Sequence, residues 1–126
     1  MRGKKILLGV TGGIAAYKSA YLVRELVRAG AEVRVVMTEA ATEFVAPLTF
    51  SALTRFPVAV DLWHKDQSTD SNIGTRHIHL ATWCDLMIIA PASANTLAKL
   101  AHGLSDNLLT VLALACRRRR WMRICS

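Results

Sequence analysis

Several common features are missing from this 126-residue sequence. Its three cysteines, Cys84, Cys116 and Cys125, are far apart and form no CxxC pair, so neither a disulfide framework nor a metal site is predicted. No apolar stretch reaches about 18 residues without a charged or turn residue, and the run Ile6–Val10 is too short for a secretory signal. We therefore expect a soluble, cytoplasmic protein with no membrane partner.

Aromatic residues make up only 6% of the chain and charged residues 20%, whereas hydrophobic residues make up 52%. This apolar content is too high for a disordered chain, and the length suits one domain. The net charge of +7 comes largely from Arg117–Arg120 and Arg123, so residues 1–115 carry eleven basic and nine acidic groups. Because the domain proper is almost neutral, we expect it to have no nucleic-acid partner.

Apolar periodicity predicts alternating strands and helices. Short, continuously apolar runs are typical of strands buried on both faces of a parallel sheet. The predicted strands are Lys4–Thr11, Glu32–Thr38, Val58–Leu62 and Leu86–Ala90. The predicted helices are Ile14–Ala29, Thr42–Leu53 (broken around Pro47), Arg76–Trp83, Ala94–Ala101 and Asp106–Leu114. Their order predicts a doubly wound α/β sheet with right-handed crossovers.

Ligands of such sheets bind beyond the carboxyl ends of the strands, so the loops there are candidate sites. Gly12 and Gly13 follow the first predicted strand, where glycines allow close backbone approach and a helix start favours a phosphate. This loop matches neither GxGxxG nor a P-loop, and a plain connecting turn is an equal alternative. The segments Thr38–Ala41 and Pro91–Thr96 follow two other strands, although the polar residues of the second can simply cap the next helix.

Three motifs, Gly9–Lys18, His77–Ala81 and Pro91–Thr96, resemble those of the flavin-dependent cysteine decarboxylase family, and within it the bacterial phosphopantothenoylcysteine decarboxylase domain. The resemblance covers residues 1–115 and implies a flavodoxin-like, Rossmann-like domain that binds FMN. The implied FMN-binding residues are Gly12, Gly13 and Ile14 at the phosphate, Thr38 and Ser51 near the phosphate and ring, and Ser93, Asn95 and Thr96 along the flavin. The resemblance also implies a homotrimer or higher assembly and, in the full-length enzyme, a phosphopantothenate-cysteine ligase domain.

The resemblance implies that His77 is the catalytic residue. An imidazole exchanges a proton near neutral pH and suits a general base, whereas a lone histidine without the motif would more often have a surface or capping role. The implied reaction is decarboxylation of 4'-phosphopantothenoylcysteine to 4'-phosphopantetheine in coenzyme A biosynthesis. The resemblance implies that FMN would oxidise the cysteine moiety to a thioaldehyde, that the carboxylate would then leave, and that the reduced flavin would return the electrons.

The sequence departs from the family pattern after Cys116. The family's Pro-x-Met-Asn/Asp-x-x-Met substrate clamp is missing from residues 116–126, which form a basic segment. Such a segment can bind nucleic acid or an anionic surface, but a frameshift accounts for it better. Permitted codons for Arg118–Cys125, read two nucleotides later, encode Pro-Ala-Met-Asp-Ala-Asp-Met, and the gene sequence would decide this.

These observations predict a truncated decarboxylase with a non-native tail. We expect a sheet that is incomplete at the C-terminus, with an open edge beside Leu86–Ala90, because consecutive arginines resist burial. The chain would then be an impaired carboxy-lyase. The alternative is a non-catalytic flavin-binding or regulatory subunit.

Overall fold

The computed structural model describes residues 2–60, 80, 82–103, 108–117 and 121–124. Within these ranges the strands are β1 (Lys5–Val10), β2 (Glu32–Met37), β3 (Ala59–Val60), β4 (Leu86–Ile89) and β5 (Trp121–Ile124). The helices are α1 (Lys18–Arg28), α2 (Pro47–Thr54), α3 (Ala94–Ala101) and α4 (Leu108–Arg117). Short 3-10 helices at Ile14–Tyr17 and Ala40–Glu43 follow β1 and β2.

The five strands form one sheet in the order β3-β2-β1-β4-β5, and every pairing is parallel. β1 lies between β2 and β4, so Ile6 is in register with Val33 on one side and Leu86 on the other. The chain builds outward from β1 through β2 and β3, then crosses to β4 and β5. This order confirms the doubly wound sheet, and it places the topological switch point between the carboxyl ends of β1 and β4.

Two apolar cores cover the faces of the sheet. On one face, Leu8 of β1 packs in a cluster with Val23 of α1 and Phe50 of α2. On the other face, Leu7 packs in a cluster with Leu112 of α4, and both side chains are buried. Full burial of one such side chain stabilises a fold by about 1.5–3 kcal/mol, which explains why β1 is apolar without alternation.

The structure divides two of the predicted helices. The predicted helix Ile14–Ala29 begins as a 3-10 turn, in which the backbone N–H of Ala16 donates to the Gly13 carbonyl, and α1 starts only at Lys18. The predicted break at Pro47 is confirmed, because Ala46 is extended and α2 starts at the proline. The predicted helix Arg76–Trp83 and the end of the predicted strand Val58–Leu62 lie mostly outside the described residues.

The strand β5 corrects the expectation of an open sheet edge. Trp121–Ile124 pairs in parallel with Leu86–Ile89, so β4 has a partner on the side that was expected to be empty. That expectation required the four consecutive arginines, Arg117–Arg120, to lie within the strand. Instead, α4 extends to Arg117 and β5 starts at Trp121, after the arginine run, with three apolar residues among its four.

Candidate functional site

Thr11 joins the loops at the switch point. Its side chain is fully buried, and its Oγ1 donates to the Pro91 carbonyl and accepts from the Ser93 backbone N–H at 2.8 Å. The Thr11 backbone N–H also donates to the Pro91 carbonyl at 3.3 Å. Thr11 therefore makes three hydrogen bonds between the loop after β1 and the loop after β4.

A second hydroxyl strengthens the same junction. The Oγ of Ser19, in the first turn of α1, donates to the Ala90 carbonyl at the end of β4, and this serine is 3% exposed. Sequence reasoning identified neither Ser19 nor Thr11 as a site residue. The one available signal was a hydroxyl residue directly after an apolar strand, because a buried hydroxyl in such a place needs hydrogen-bond partners.

Gly12 and Gly13 have different physical roles in the loop after β1. A Cβ on Gly12 would lie 2.9 Å from the Cβ of Ala40, so the glycine lets the loops after β1 and β2 pack together. Gly13 has a φ of 150° and a ψ of 159°, a conformation that is essentially restricted to glycine. Among the described residues other than its chain neighbours, no heavy atom lies within 4 Å of a Cβ placed there, and the next residue, Ile14, is 81% exposed.

Thr38 begins the loop after β2. Its backbone N–H donates to the Val10 carbonyl at 3.0 Å, and its Oγ1 accepts from the Ala41 backbone N–H at 3.2 Å. The hydroxyl thus stabilises the 3-10 turn that carries Ala40 toward Gly12. Three strand ends meet here, as the sequence predicts for a doubly wound sheet.

The loop after β4 ends in a capped helix. Ser93 is the N-cap of α3: its Oγ accepts from the Thr96 backbone N–H at 3.2 Å and donates to the Thr96 Oγ1 at 3.0 Å. This is the capping role that the sequence left open. Thr96 is 3% exposed, whereas Asn95 is exposed in the first turn of α3. Capping therefore fixes where the Asn95 backbone lies beside the switch point.

Two predicted site residues are not joined to these loops by the described contacts. Ser51 lies in α2, where its Oγ donates to the Leu48 carbonyl at 3.1 Å. His77 lies outside the described residues.

Over the described part of the chain, the helices fall short of the length and apolar character that crossing a bilayer requires.

Comparisons with curated proteins identify relatives named for coenzyme A biosynthesis or for phosphopantothenoylcysteine decarboxylation. The chain is 50% identical over 115 residues to the coenzyme A biosynthesis bifunctional protein CoaBC of Vibrio parahaemolyticus. The matched region is 91% of this chain and 28% of that protein. It is 50% identical over 112 residues to a probable phosphopantothenoylcysteine decarboxylase of Streptococcus mutans. The matched region is 89% of this chain and 60% of that protein. The chain thus spans about a quarter of the length of the bifunctional relative.

Solved structures agree with the fold. The chain superimposes on a cysteine-to-serine mutant of PPC decarboxylase, complexed with pantothenoylaminoethenethiol, with a TM-score of 0.76 and 33% identity. That superposition covers 98% of this chain and 66% of the other. Residues 1–125 match the protein family described as Flavoprotein, a range that includes β5. The chain therefore belongs to the flavoprotein family, as its three motifs indicate.

Proposed function

We propose that this chain binds FMN and carries, with impaired activity, the decarboxylation of 4'-phosphopantothenoylcysteine to 4'-phosphopantetheine. The observation that carries the proposal is the Thr11 junction, which holds the loops after β1 and β4 together at the switch point of the sheet. Ligands of doubly wound sheets bind at that point. The curated relatives named above supply the substrate class.

The residues at the junction suit a flavin phosphate and ring. A phosphate can approach the backbone at Gly13, because the space beside its Cα is open. The exposed side chain of Ile14 offers an apolar surface beside it. Under this proposal the FMN-binding set is Gly12, Gly13, Ile14, Thr38, Ser51, Ser93, Asn95 and Thr96.

FMN, when bound, supplies the reversible oxidation of the substrate's cysteine moiety that makes loss of the carboxylate possible. The protein's own contribution is to bind and orient. Thr11 and Ser19 keep the loop after β4 fixed against β1, and the Ser93 cap fixes the start of α3. His77 acts as the general base of this reaction and exchanges a proton during it.

We further propose a homotrimer or higher assembly in the cytoplasm. Three large side chains are exposed along one face of the 3-10 turn and α1: Ile14 at 81%, Tyr17 at 50% and Tyr21 at 65%. Exposed apolar surface of this kind marks interaction sites. In the full-length enzyme a phosphopantothenate-cysteine ligase domain would follow, a proposal that the bifunctional name and greater length of the CoaBC relatives support.

The decisive experiment measures flavin binding and turnover on one preparation. Quenching of FMN fluorescence reports binding, and release of CO₂ from 4'-phosphopantothenoylcysteine reports the reaction. The proposal predicts both signals. Flavin binding without CO₂ release would instead support the alternative, a non-catalytic flavin-binding or regulatory subunit, and absence of both would contradict the proposal.

A further inference from the structure

Two cysteine side chains meet inside the core that covers the α4 face of the sheet. Cys84 lies two residues before the start of β4, and Cys116 lies in the last turn of α4, 32 positions later in the chain. Their Sγ atoms are 3.7 Å apart. Both side chains are 0% exposed, and neither is in a disulfide. The decarboxylation proposed above uses neither thiol.

The surroundings hold this thiol pair in place. Both residues belong to the cluster that contains Met87 and Leu112, so their neighbours are buried and apolar. The Cys84 backbone N–H donates to the Leu80 carbonyl at 3.2 Å, and Cys116 is within a regular helix. Two groups fixed side by side react with each other far faster than with groups in solution.

We propose that Cys84 and Cys116 form an oxidant-sensitive modification site, at which a small peroxide closes an intrachain disulfide. A disulfide has an S–S distance of about 2.05 Å, so the sulfurs must approach by roughly 1.7 Å. In the first step one thiol is oxidised to a sulfenic acid, and the peroxide is reduced, leaving water. The second thiol then displaces the hydroxyl group as water and forms the S–S bond. Overall, two thiols lose two protons and two electrons, and hydrogen peroxide becomes two waters.

Burial selects the class of oxidant. A small uncharged peroxide can enter the core during brief local opening, whereas a bulky disulfide such as oxidised glutathione has no path to a side chain that is 0% exposed. The closed bond would tie the end of α4 to the start of β4. The segment between the two cysteines contains the Pro91–Thr96 loop, so the bond would restrict the unfolded chain around the switch point and raise the melting temperature.

The test exposes the folded full chain to hydrogen peroxide, removes the peroxide with catalase, and then denatures the protein in N-ethylmaleimide for peptide mapping by mass spectrometry. We expect most of the Cys84 peptide to be linked to the Cys116 peptide. A sample of the oxidised protein taken before denaturation should melt at a higher temperature than the untreated protein. Cys125→Ala is the matched control and should leave the link unchanged. Cys84→Ala and Cys116→Ala should each abolish it, and circular dichroism reports whether each variant is folded.

Three results would overturn the proposal. The first is labelling of both Cys84 and Cys116 with N-ethylmaleimide after peroxide treatment. The second is a link from either of them to Cys125. The third is an equal yield of the Cys84–Cys116 link from chain unfolded in urea, because the folded arrangement would then contribute nothing. The unsubstituted chain gives all three readouts, so the test holds even where an alanine variant fails to fold.

Discussion

Thr11 and Ser93 are joined by a hydrogen bond of 2.8 Å from the Ser93 backbone N–H to the Thr11 Oγ1, although 82 positions separate them in the chain. Thr11 directly follows β1 and Ser93 caps α3, so this bond helps to set the distance between two loops of the proposed flavin site. The arrangement makes a buried threonine, rather than an exposed site residue, responsible for the geometry of the site.

Replacing Thr11 with valine tests whether the Thr11 hydroxyl fixes the geometry of the proposed site. The valine keeps the shape but removes the hydroxyl, so the part-buried N–H of Ser93 loses its acceptor and the Pro91 carbonyl loses the hydroxyl donor. A hydrogen bond contributes about 0.5–1.5 kcal/mol and Thr11→Val removes two, so we expect it to lower the free energy of unfolding by about 1–3 kcal/mol and to weaken FMN binding. Thr11→Ser retains the hydroxyl and should stay close to the original on both measurements. Equal behaviour of the valine and serine variants would show that the bond is unimportant.

Gly12 and Ala40 provide a compensating pair. A Cβ at Gly12 would lie 2.9 Å from the Ala40 Cβ, so Gly12→Ala should force apart the loops after β1 and β2 and reduce FMN binding. The larger side chain of Gly12→Val should abolish binding. Adding Ala40→Gly to Gly12→Ala removes the clash and should restore affinity, as measured by fluorescence quenching. If Ala40→Gly gives no recovery, contact between the loops is not the reason for the glycine.

His77→Asn tests the proposed proton exchange. The substitution should leave FMN binding intact and lower decarboxylation by about a hundredfold or more, the usual contribution of a general acid or base. His102→Asn, at the C-cap of α3, is the matched histidine control and should retain turnover. Near-normal CO₂ release from His77→Asn would return this histidine to a structural role.

The strand β5 leads to a prediction opposite to the one from sequence. A chain that ends after Arg117 leaves the β4 edge without its partner, so it should melt at least about 5 °C below the full chain, equivalent to about 1 kcal/mol or more. A chain that ends after Ile124 keeps β5 and should melt like the full chain. Equal melting temperatures of the two shortened chains would mean that β5 adds no stability.

The sequence predicts the fold well where apolar pattern decides it. The continuous apolar runs of β1 and β4 and the break at Pro47 each have a local physical cause, and all three are found. The 3-10 start before α1 depends on the Gly13 conformation, which no pattern reveals. β5 was not predicted because four consecutive arginines precede this short apolar segment and make the end of the sequence resemble a charged tail.

Prediction of the site was more limited than prediction of the fold. Strand order brings Gly12, Thr38 and Ser93 to one edge of the sheet, and motif spacing is enough to anticipate that. The bonds that fix the edge run from Thr11 and Ser19 to the loop after β4, across more than 70 positions. Such contacts depend on the folded register of β1 and β4, so a local pattern cannot specify them.

The central claim is that the open backbone at Gly13 receives the phosphate of FMN, and a matched pair of glycine substitutions tests it most directly. Gly13 and Gly103 both have positive φ, and both have open space beside the Cα, but Gly103 follows α3 at its far end. Gly13→Ala and Gly103→Ala therefore both impose backbone strain, the larger at Gly13, and Gly13→Ala alone also obstructs the proposed site. Fluorescence titration with FMN should show at least about a tenfold loss of affinity, equivalent to about 1.4 kcal/mol, for Gly13→Ala and little change for Gly103→Ala. Equal affinities for the two folded variants would contradict the account.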